Sequence, residues 1–298
     1  VGPEPDSIDP AYNEAVDGAT LLIHAFSGIC KLDKDGMPQP DAAKEIKISE
    51  DGLTYTITLR DGLKWSDGKD LVAEDFIYAW KRAIDPVNAT SYGYMLENIT
   101  GVADVYYADP EVDEYDVDAI GAKALDDKTI EITLTSAAPY FMEILAFPTL
   151  FPVRKDIVES DEAWSTKPET YITNGPYKMK TWDHDAQIVF EKNEYYHDKG
   201  AILPETIKFV LMDDDNAILA AYQNGTIMLA DSVPNDEIDN LRDNDEFFIA
   251  GQLGTYFVCF NTEKEPFDDA RVRKALSLVI DRNFIVEHDN PNDLERLI

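Results

Sequence analysis

Cysteine is nearly absent from this chain. Cys30 and Cys259 are the only two in 298 residues, so neither a disulfide framework nor a cysteine-based zinc site can be built. The alternatives left are one long-range bridge between them or two separate buried thiols. Cations are scarce as well: 26 Lys plus Arg stand against 59 Asp plus Glu, a formal charge of −33. No local basic patch interrupts that excess, which excludes nucleic acid and anionic membrane surfaces as partners. No apolar run reaches the ~18 residues of a membrane span; residues 21–26, interrupted by His24, and 275–280 are core-sized.

The signatures of covalent chemistry are missing too. Ser27-Gly28 lacks the preceding glycine of a nucleophile elbow, and the stretch GQLG at 251–254 has the wrong spacing for a dinucleotide fingerprint. The four histidines, at 24, 184, 197 and 288, form no His-x-x-x-His pair and are expected on the surface or in packing. The run Asp213-Asp214-Asp215-Asn216 fails the calcium-loop template, because Ala217 and Leu219 stand where oxygen ligands belong and the sixth-position glycine is missing. It is expected to be a turn and helix N-cap. No catalytic residue, metal ligand or cofactor is therefore expected, and the chain is read as a non-enzyme.

What is present argues for a folded chain. Apolar residues make up 44%, with 15 Tyr, 13 Phe and 4 Trp, and the length suggests two domains. Residues 53–60 alternate, with Leu53, Tyr55, Ile57 and Leu59 on one side, and 130–135 repeat the pattern. These two strands are expected to share an antiparallel sheet. Between them, Phe76, Ala79, Trp80 and Ala83 fall at helical spacing over 73–84, with Asp85-Pro86 as the stop. A helix is also expected over 18–28, and another from Pro139 through Leu145. The acid-rich stretch 104–118 reads as a solvated connection. Downstream, strands are expected at 188–192 and 207–211, a helix at 216–224 closed by Gly225, a buried strand at 256–260, and a helix capped by Asp268-Asp269 that puts Val272, Ala275, Leu276 and Val279 on one face. Strands and helices mix without regular βαβ alternation, as in an α/β or α+β architecture.

Five segments, in order, resemble the solute-binding proteins of peptide-type ABC importers. They are SIDP at 7–10; DGLTYTITLRDGLKWSDGKDLVAEDF at 51–76; DKTIEITL at 127–134; TNGPY at 173–177; and PFDDARVRKAL at 266–276 with IDR at 280–282. Most of these residues are scaffold. Trp65 with the Ser66-Asp67-Gly68 turn is expected to anchor a loop, and Arg271 and Arg273 to form surface ion pairs.

The resemblance implies an α/β clamp of the periplasmic-binding-protein type: a first lobe plus a small accessory α+β domain, with the second lobe largely missing. On that reading residues 1–30 are the first segment of lobe I, 31–149 the accessory domain and 150–270 the second segment of lobe I. Residues 271–298 are then a hinge-side helix and the start of a second lobe. It implies an extracytoplasmic protein, in the periplasm or attached to the membrane as a cell-surface lipoprotein. Such a protein captures oligopeptides in extended form and delivers them to the membrane permease subunits of an ABC transporter. This chain is then a fragment with impaired binding. The residues that match the family's ligand-contacting positions are Glu14, Ala15 and Val16, where the family often has Glu-Gly-Val; Tyr94, with Tyr92 as the alternative match; and Gly254, Thr255 and Tyr256. Two other readings stay open. One is a binder of nickel, haem or a sugar on the same fold; the other, from a different class, is an acid hydrolase using paired carboxylates.

Overall fold

Residues 2–249 and 257–285 are described by a computed structural model, in which the chain forms two compact units, Val1–Asp213 and Asp214–Ile298. The clearest pattern in the sequence builds the centre of the first unit. Strand β4 (Thr54–Leu59) buries Tyr55, Ile57 and Leu59 and turns its threonines outward. It pairs antiparallel with β3 (Ala43–Ile48) on one side and β6 (Thr129–Thr133) on the other, and β5 (Ala122–Asp126) completes a four-stranded sheet of order β3-β4-β6-β5. The two alternating segments are thus direct neighbours, in the register Ile57 to Ile130. A small ribbon of β1 (Cys30–Leu32) and β2 (Pro38–Pro40) precedes the sheet, and the sheet itself falls within 31–149.

Helix α2 (Ala73–Ile84) has the expected bounds. Its first turn is fixed by Asp75, whose carboxylate accepts from the Val72 N–H at 3.0 Å and from Trp65 Nε1 at 3.1 Å. This is the anchor expected of Trp65, which is fully buried. One stripe of α2 buries Phe76, Ala79, Trp80 and Ala83, and Trp80 Nε1 donates to the Leu150 carbonyl at 2.9 Å.

The rest of the unit rests on α1 (Val16–Ala25) and an antiparallel meander of β7 (Tyr177–Asp183), β8 (Gln187–Lys192) and β9 (Thr206–Val210). α1 buries Leu21, Leu22 and Ala25. Its last turn meets the meander through His24, whose ring lies 6.3 Å from Tyr177 and 5.2 Å from Phe209, a packed histidine as expected. The TNGPY turn locks onto the end of α1. Asn174 exchanges hydrogen bonds with Ser27, and the Gly175 N–H donates to the Ala25 carbonyl at 2.8 Å.

The connection expected at 104–118 begins with structure instead. Helix α3 (Val102–Tyr106) buries Val102 and Val105, three residues apart, so the solvated stretch starts only after it. The helix expected from Pro139 shortens to α4 (Phe141–Ile144), and α5 (Lys155–Val158) follows.

In the second unit, α6 (Asp215–Gln223) is capped by Asp214, whose carboxylate accepts from the Ala217 N–H at 2.8 Å; Gly225, at φ +77°, follows its end. The acid run is therefore the cap it was expected to be. Then come α7 (Ile238–Leu241) and α8 (Ala270–Val279), which Asp269 caps through the Arg271 N–H. The buried strand expected at 256–260 is not formed over its described residues, 257–260. No backbone ladder engages them, and Phe257 and Val258 are 72% and 61% exposed. Tyr256 lies outside the described residues. Both cysteines are free, and Cys259 is exposed, so burial holds for Cys30 alone.

Candidate ligand-binding edge

The candidate site starts from an aspartate. Asp9, the third residue of SIDP, is buried, and its two oxygens take both terminal nitrogens of Arg82 at 2.8 and 2.7 Å. Trp164 Nε1 donates to the same carboxylate at 3.1 Å, and the Ala11 N–H at 3.0 Å. Tyr171, stacked on Trp164, donates its hydroxyl to the Ile8 carbonyl at 2.9 Å, and the Tyr12 ring lies 4.9 Å from the Arg82 guanidinium. A buried carboxylate is stable only when paired and fully hydrogen-bonded. These partners satisfy Asp9 and fix the chain immediately before residue 14.

The chain then emerges at the surface. Glu14, Ala15 and Val16 are all exposed, Val16 at 82%. Ala15 is extended, at φ −117° and ψ 152°, a conformation any residue adopts, so the departure from glycine costs the backbone nothing here. Among the described residues the backbone N–H groups of Glu14 and Ala15 have no hydrogen-bond partner. An exposed, extended segment with unpaired amides is an edge that a second extended chain can pair with.

Glu14 is joined across 77 residues to the loop that carries the other expected position, Tyr94, since its Oε1 accepts from Ser91 Oγ. Ser91 leads into the turn that carries Tyr92 and Tyr94, whose ring centres are 6.1 Å apart; Phe147 lies 5.4 Å beyond Tyr92. Gly93 between the tyrosines is obligatory, because a Cβ there would sit 2.4 Å from the Ala83 carbonyl oxygen and from the Tyr106 ring. Tyr106 braces the turn with a 2.7 Å hydrogen bond to the Thr90 carbonyl. Tyr94 is 40% exposed, and Tyr92 is half-buried between it and Phe147. The structure therefore brings residues 14–16 beside the loop that bears both tyrosines. Gly254, Thr255 and Tyr256 lie outside the described residues. The sequence did not mark Ser91 and Phe147 as members of this candidate site: Ser91 directly precedes Tyr92 but has no chemistry of its own there, and Phe147 reads as ordinary core.

The remaining polar cluster is structural. Buried Asp41 accepts from Ser27 Oγ at 2.5 Å and from the Tyr196 hydroxyl at 3.3 Å, with Lys31 Nζ at 3.1 Å and His197 Nε2 at 3.5 Å. Burial pushes its carboxyl up, but the bonds from His197 and Ser27 and the charge of Lys31 bring it below the ordinary carboxylate value. Ser27 donates to the aspartate rather than to the histidine, so no activated nucleophile results. Among the described residues no group of three or more His, Cys, Asp or Glu could hold a metal ion.

A family model described as bacterial extracellular solute-binding proteins, family 5 Middle, matches residues 37–289. The chain belongs to that family. A curated family relative, the oligopeptide-binding protein OppA of Bacillus subtilis, is 35% identical over 96% of this chain and 52% of its own length. The probable deoxycholate-binding periplasmic protein YgiS of Escherichia coli is 34% identical over 95% and 53%. Among solved structures, OppA of Haemophilus influenzae in complex with the peptide RPPGFSPFR superposes with a TM-score of 0.90 at 30% identity, covering 96% of this chain and 56% of that one. The mixed α/β fold expected of the chain is thus shared with its solved relatives over the matched part, and the chain spans about half the length of the curated relatives it matches.

Proposed function

We propose that this chain is part of the substrate-binding component of an ABC importer, one that captures oligopeptides in extended form and passes them to membrane permease subunits. The observation that carries this reading is the exposed edge at Glu14 and Ala15, with its unpaired backbone amides, set beside the exposed Tyr94. Such an edge recognises backbone and not sequence, while open aromatic walls accept varied side chains. Glu14, Ala15, Val16 and Tyr94 are the proposed contacts in the first unit, and Gly254, Thr255 and Tyr256 the proposed contacts further on. Residues 31–149 are proposed as the accessory domain, set between the two segments of the first lobe at 1–30 and 150–270, with 271–298 leading toward a second lobe. The proposed location is extracytoplasmic, in the periplasm or on the cell surface as a lipoprotein; among the described residues no helix is long and apolar enough to cross a membrane.

Titration calorimetry with a mixed library of short peptides tests the reading. Saturable heat that is lost when the same residues are supplied as free amino acids supports it. A second reading, an apolar small-molecule ligand, is favoured by the relative whose name denotes deoxycholate binding. Binding of deoxycholate with no heat from any peptide would replace the first reading by the second.

A further inference from the structure

The turn between β7 and β8 reaches back to the start of the chain. His184, in that turn, places Nδ1 2.6 Å from Glu4 Oε1, and the Asp185 N–H donates to Glu4 Oε2 at 2.9 Å. The Trp182 ring backs the imidazole, with ring centres 4.6 Å apart and planes inclined by 32°. A second contact lies past the end of β9, where the Met212 N–H donates to the Gly2 carbonyl at 3.0 Å. Gly2 also lies close against the first turn of α1, since a Cβ on it would sit 2.4 Å from Asp17 Oδ2. Further along, Ile8 and Asp9 are buried and held by partners that have no contact with His184.

The charges on these elements favour the protonated ring. Glu4 faces it from the N-terminal segment and Asp183 and Asp185 stand in its own hairpin, with Asp17 on α1 beside Gly2; among the described residues no Lys or Arg pairs with any of the four. Of the cations on the meander, Lys178 and Lys180 pair with Glu191 and Lys192 with Glu205, while Lys208 stands opposite Val189, on the other face of the sheet from Trp182. Histidine is the side chain that ordinarily changes charge between about pH 5 and 8. Glu4 stays ionised through that range: burial pushes its carboxyl up, but the bonds from His184 and Asp185 outweigh it and hold it below its ordinary value. A hydrogen bond between two charged groups is roughly twice as strong as a neutral one.

We infer that His184 and Glu4 form a pH-dependent latch on residues 2–6, closed in mildly acidic solution and loosened in alkaline solution. It loosens because the imidazole loses its charge while the carboxylate keeps its own. The loosening stops at Ile8 and Asp9, which the latch does not hold.

The test follows amide exchange in the 298-residue chain by NMR, with each rate corrected for the intrinsic effect of pH. The reporters are the Asp185 and Met212 amides, both bonded to the N-terminal segment, and the Ala11 amide, bonded to Asp9, is the control. His184 is more than half exposed, so between about pH 6 and about pH 8.5 protection of both reporters is expected to fall by about threefold, the scale of an exposed ion pair, with Ala11 unchanged. Salt at several hundred millimolar is expected to shrink that difference. His184→Lys keeps a cation throughout the range and is expected to leave both reporters protected at both pH values. Glu4→Gln keeps an acceptor without a charge and is expected to give the alkaline level of protection at both. Equal protection at the two pH values in the native chain overturns the latch, as does a pH dependence that survives in either variant. A matching fall at Ala11 overturns it as well, since the change would then belong to the whole unit.

Discussion

Arg82 and Asp9 meet in a bidentate pair, with nitrogen-to-oxygen distances of 2.8 and 2.7 Å and side chains only 12% and 5% exposed. The pair ties α2 to the segment that ends in the exposed edge at residues 14–16, and Trp164 completes it. Removing one partner of a buried ion pair leaves the other charged and uncompensated, at a cost of about 3 to 5 kcal/mol. Arg82→Ala and Asp9→Ala are each expected to destabilise the first unit by about that much, and the double variant by clearly less than their sum. All four tryptophans lie in that unit, so denaturant unfolding followed by tryptophan fluorescence reads it directly. Single-variant losses below about 1 kcal/mol would show that the pair is not what fixes the edge.

A second arginine makes the stability of this unit depend on pH. Arg154, itself buried, spans Asp67 at 2.9 Å and Asp156 at 2.5 Å. Its hydrogen bonds and charge hold the Asp156 carboxyl far below the ordinary range; at Asp67 burial acts upward, but Arg154 outweighs it and the net shift is down. A carboxylate with a lowered pKa in the folded state contributes stability that is fully present above its unfolded pKa, near 4, and is lost as pH falls through the folded value. Arg154→Met is therefore expected to lower stability at pH 7, with the gap to the native protein narrowing steadily as pH drops below about 4. Asp156 is half exposed, so the effect of that bond alone is modest. Unfolding curves between pH 7 and 3 measure the gap, and a gap independent of pH would contradict the assignment.

The two thiols are expected to differ sharply in reactivity. Cys30 is fully buried, and burial together with the nearby Asp41 charge pushes its pKa up to about 12, whereas Cys259 is exposed. Since the thiolate is the reactive species, a chromogenic disulfide reagent should titrate one thiol in the native chain and two in denaturant. Cys259→Ser should abolish the native reaction. Two fast-reacting thiols in the folded protein would refute the burial of Cys30.

The legibility of the fold followed the reach of the forces involved. β4 and α2 could be read from single segments, because alternation in one and a four-residue stripe closed by Pro86 in the other are local consequences of burying one face. α3 was hidden because acid density masked the two valines that anchor it, and 257–260 were misread because an apolar run gives no sign of whether a partner strand lies beside it. The candidate site drew on two kinds of signal. Glu14 and Tyr94 came from resemblance, but the Glu14–Ser91 bond spans 77 residues and the Tyr92–Phe147 contact 55, and no spacing rule connects such positions. The family motif SIDP marked a place without giving its reason, which became visible only when Arg82 and Trp164 were found on Asp9.

The glycine of TNGPY has a reason of the same kind, and it yields a sharp test. A Cβ on Gly175 would lie 2.5 Å from the carbonyl carbon and oxygen of Ala25 and from the Phe26 nitrogen, all of them backbone atoms at the end of α1. No rotamer change can relieve such a contact, so either α1 or the turn must move, and the Gly175 N–H bond to Ala25 and the Asn174–Ser27 exchange move with it. Overpacking of this kind costs about 1 to 3 kcal/mol or more. Gly200 provides the control: nothing lies within 4 Å of a Cβ added there, and its φ is not positive. Gly175→Ala is expected to lower the melting temperature of the first unit by several degrees, roughly 2 to 4 °C for each kcal/mol lost. Gly200→Ala should stay within about 0.5 kcal/mol of the native protein. Differential scanning fluorimetry of the two variants side by side decides it, and equal melting temperatures would mean that the close approach of the turn to α1 is not required.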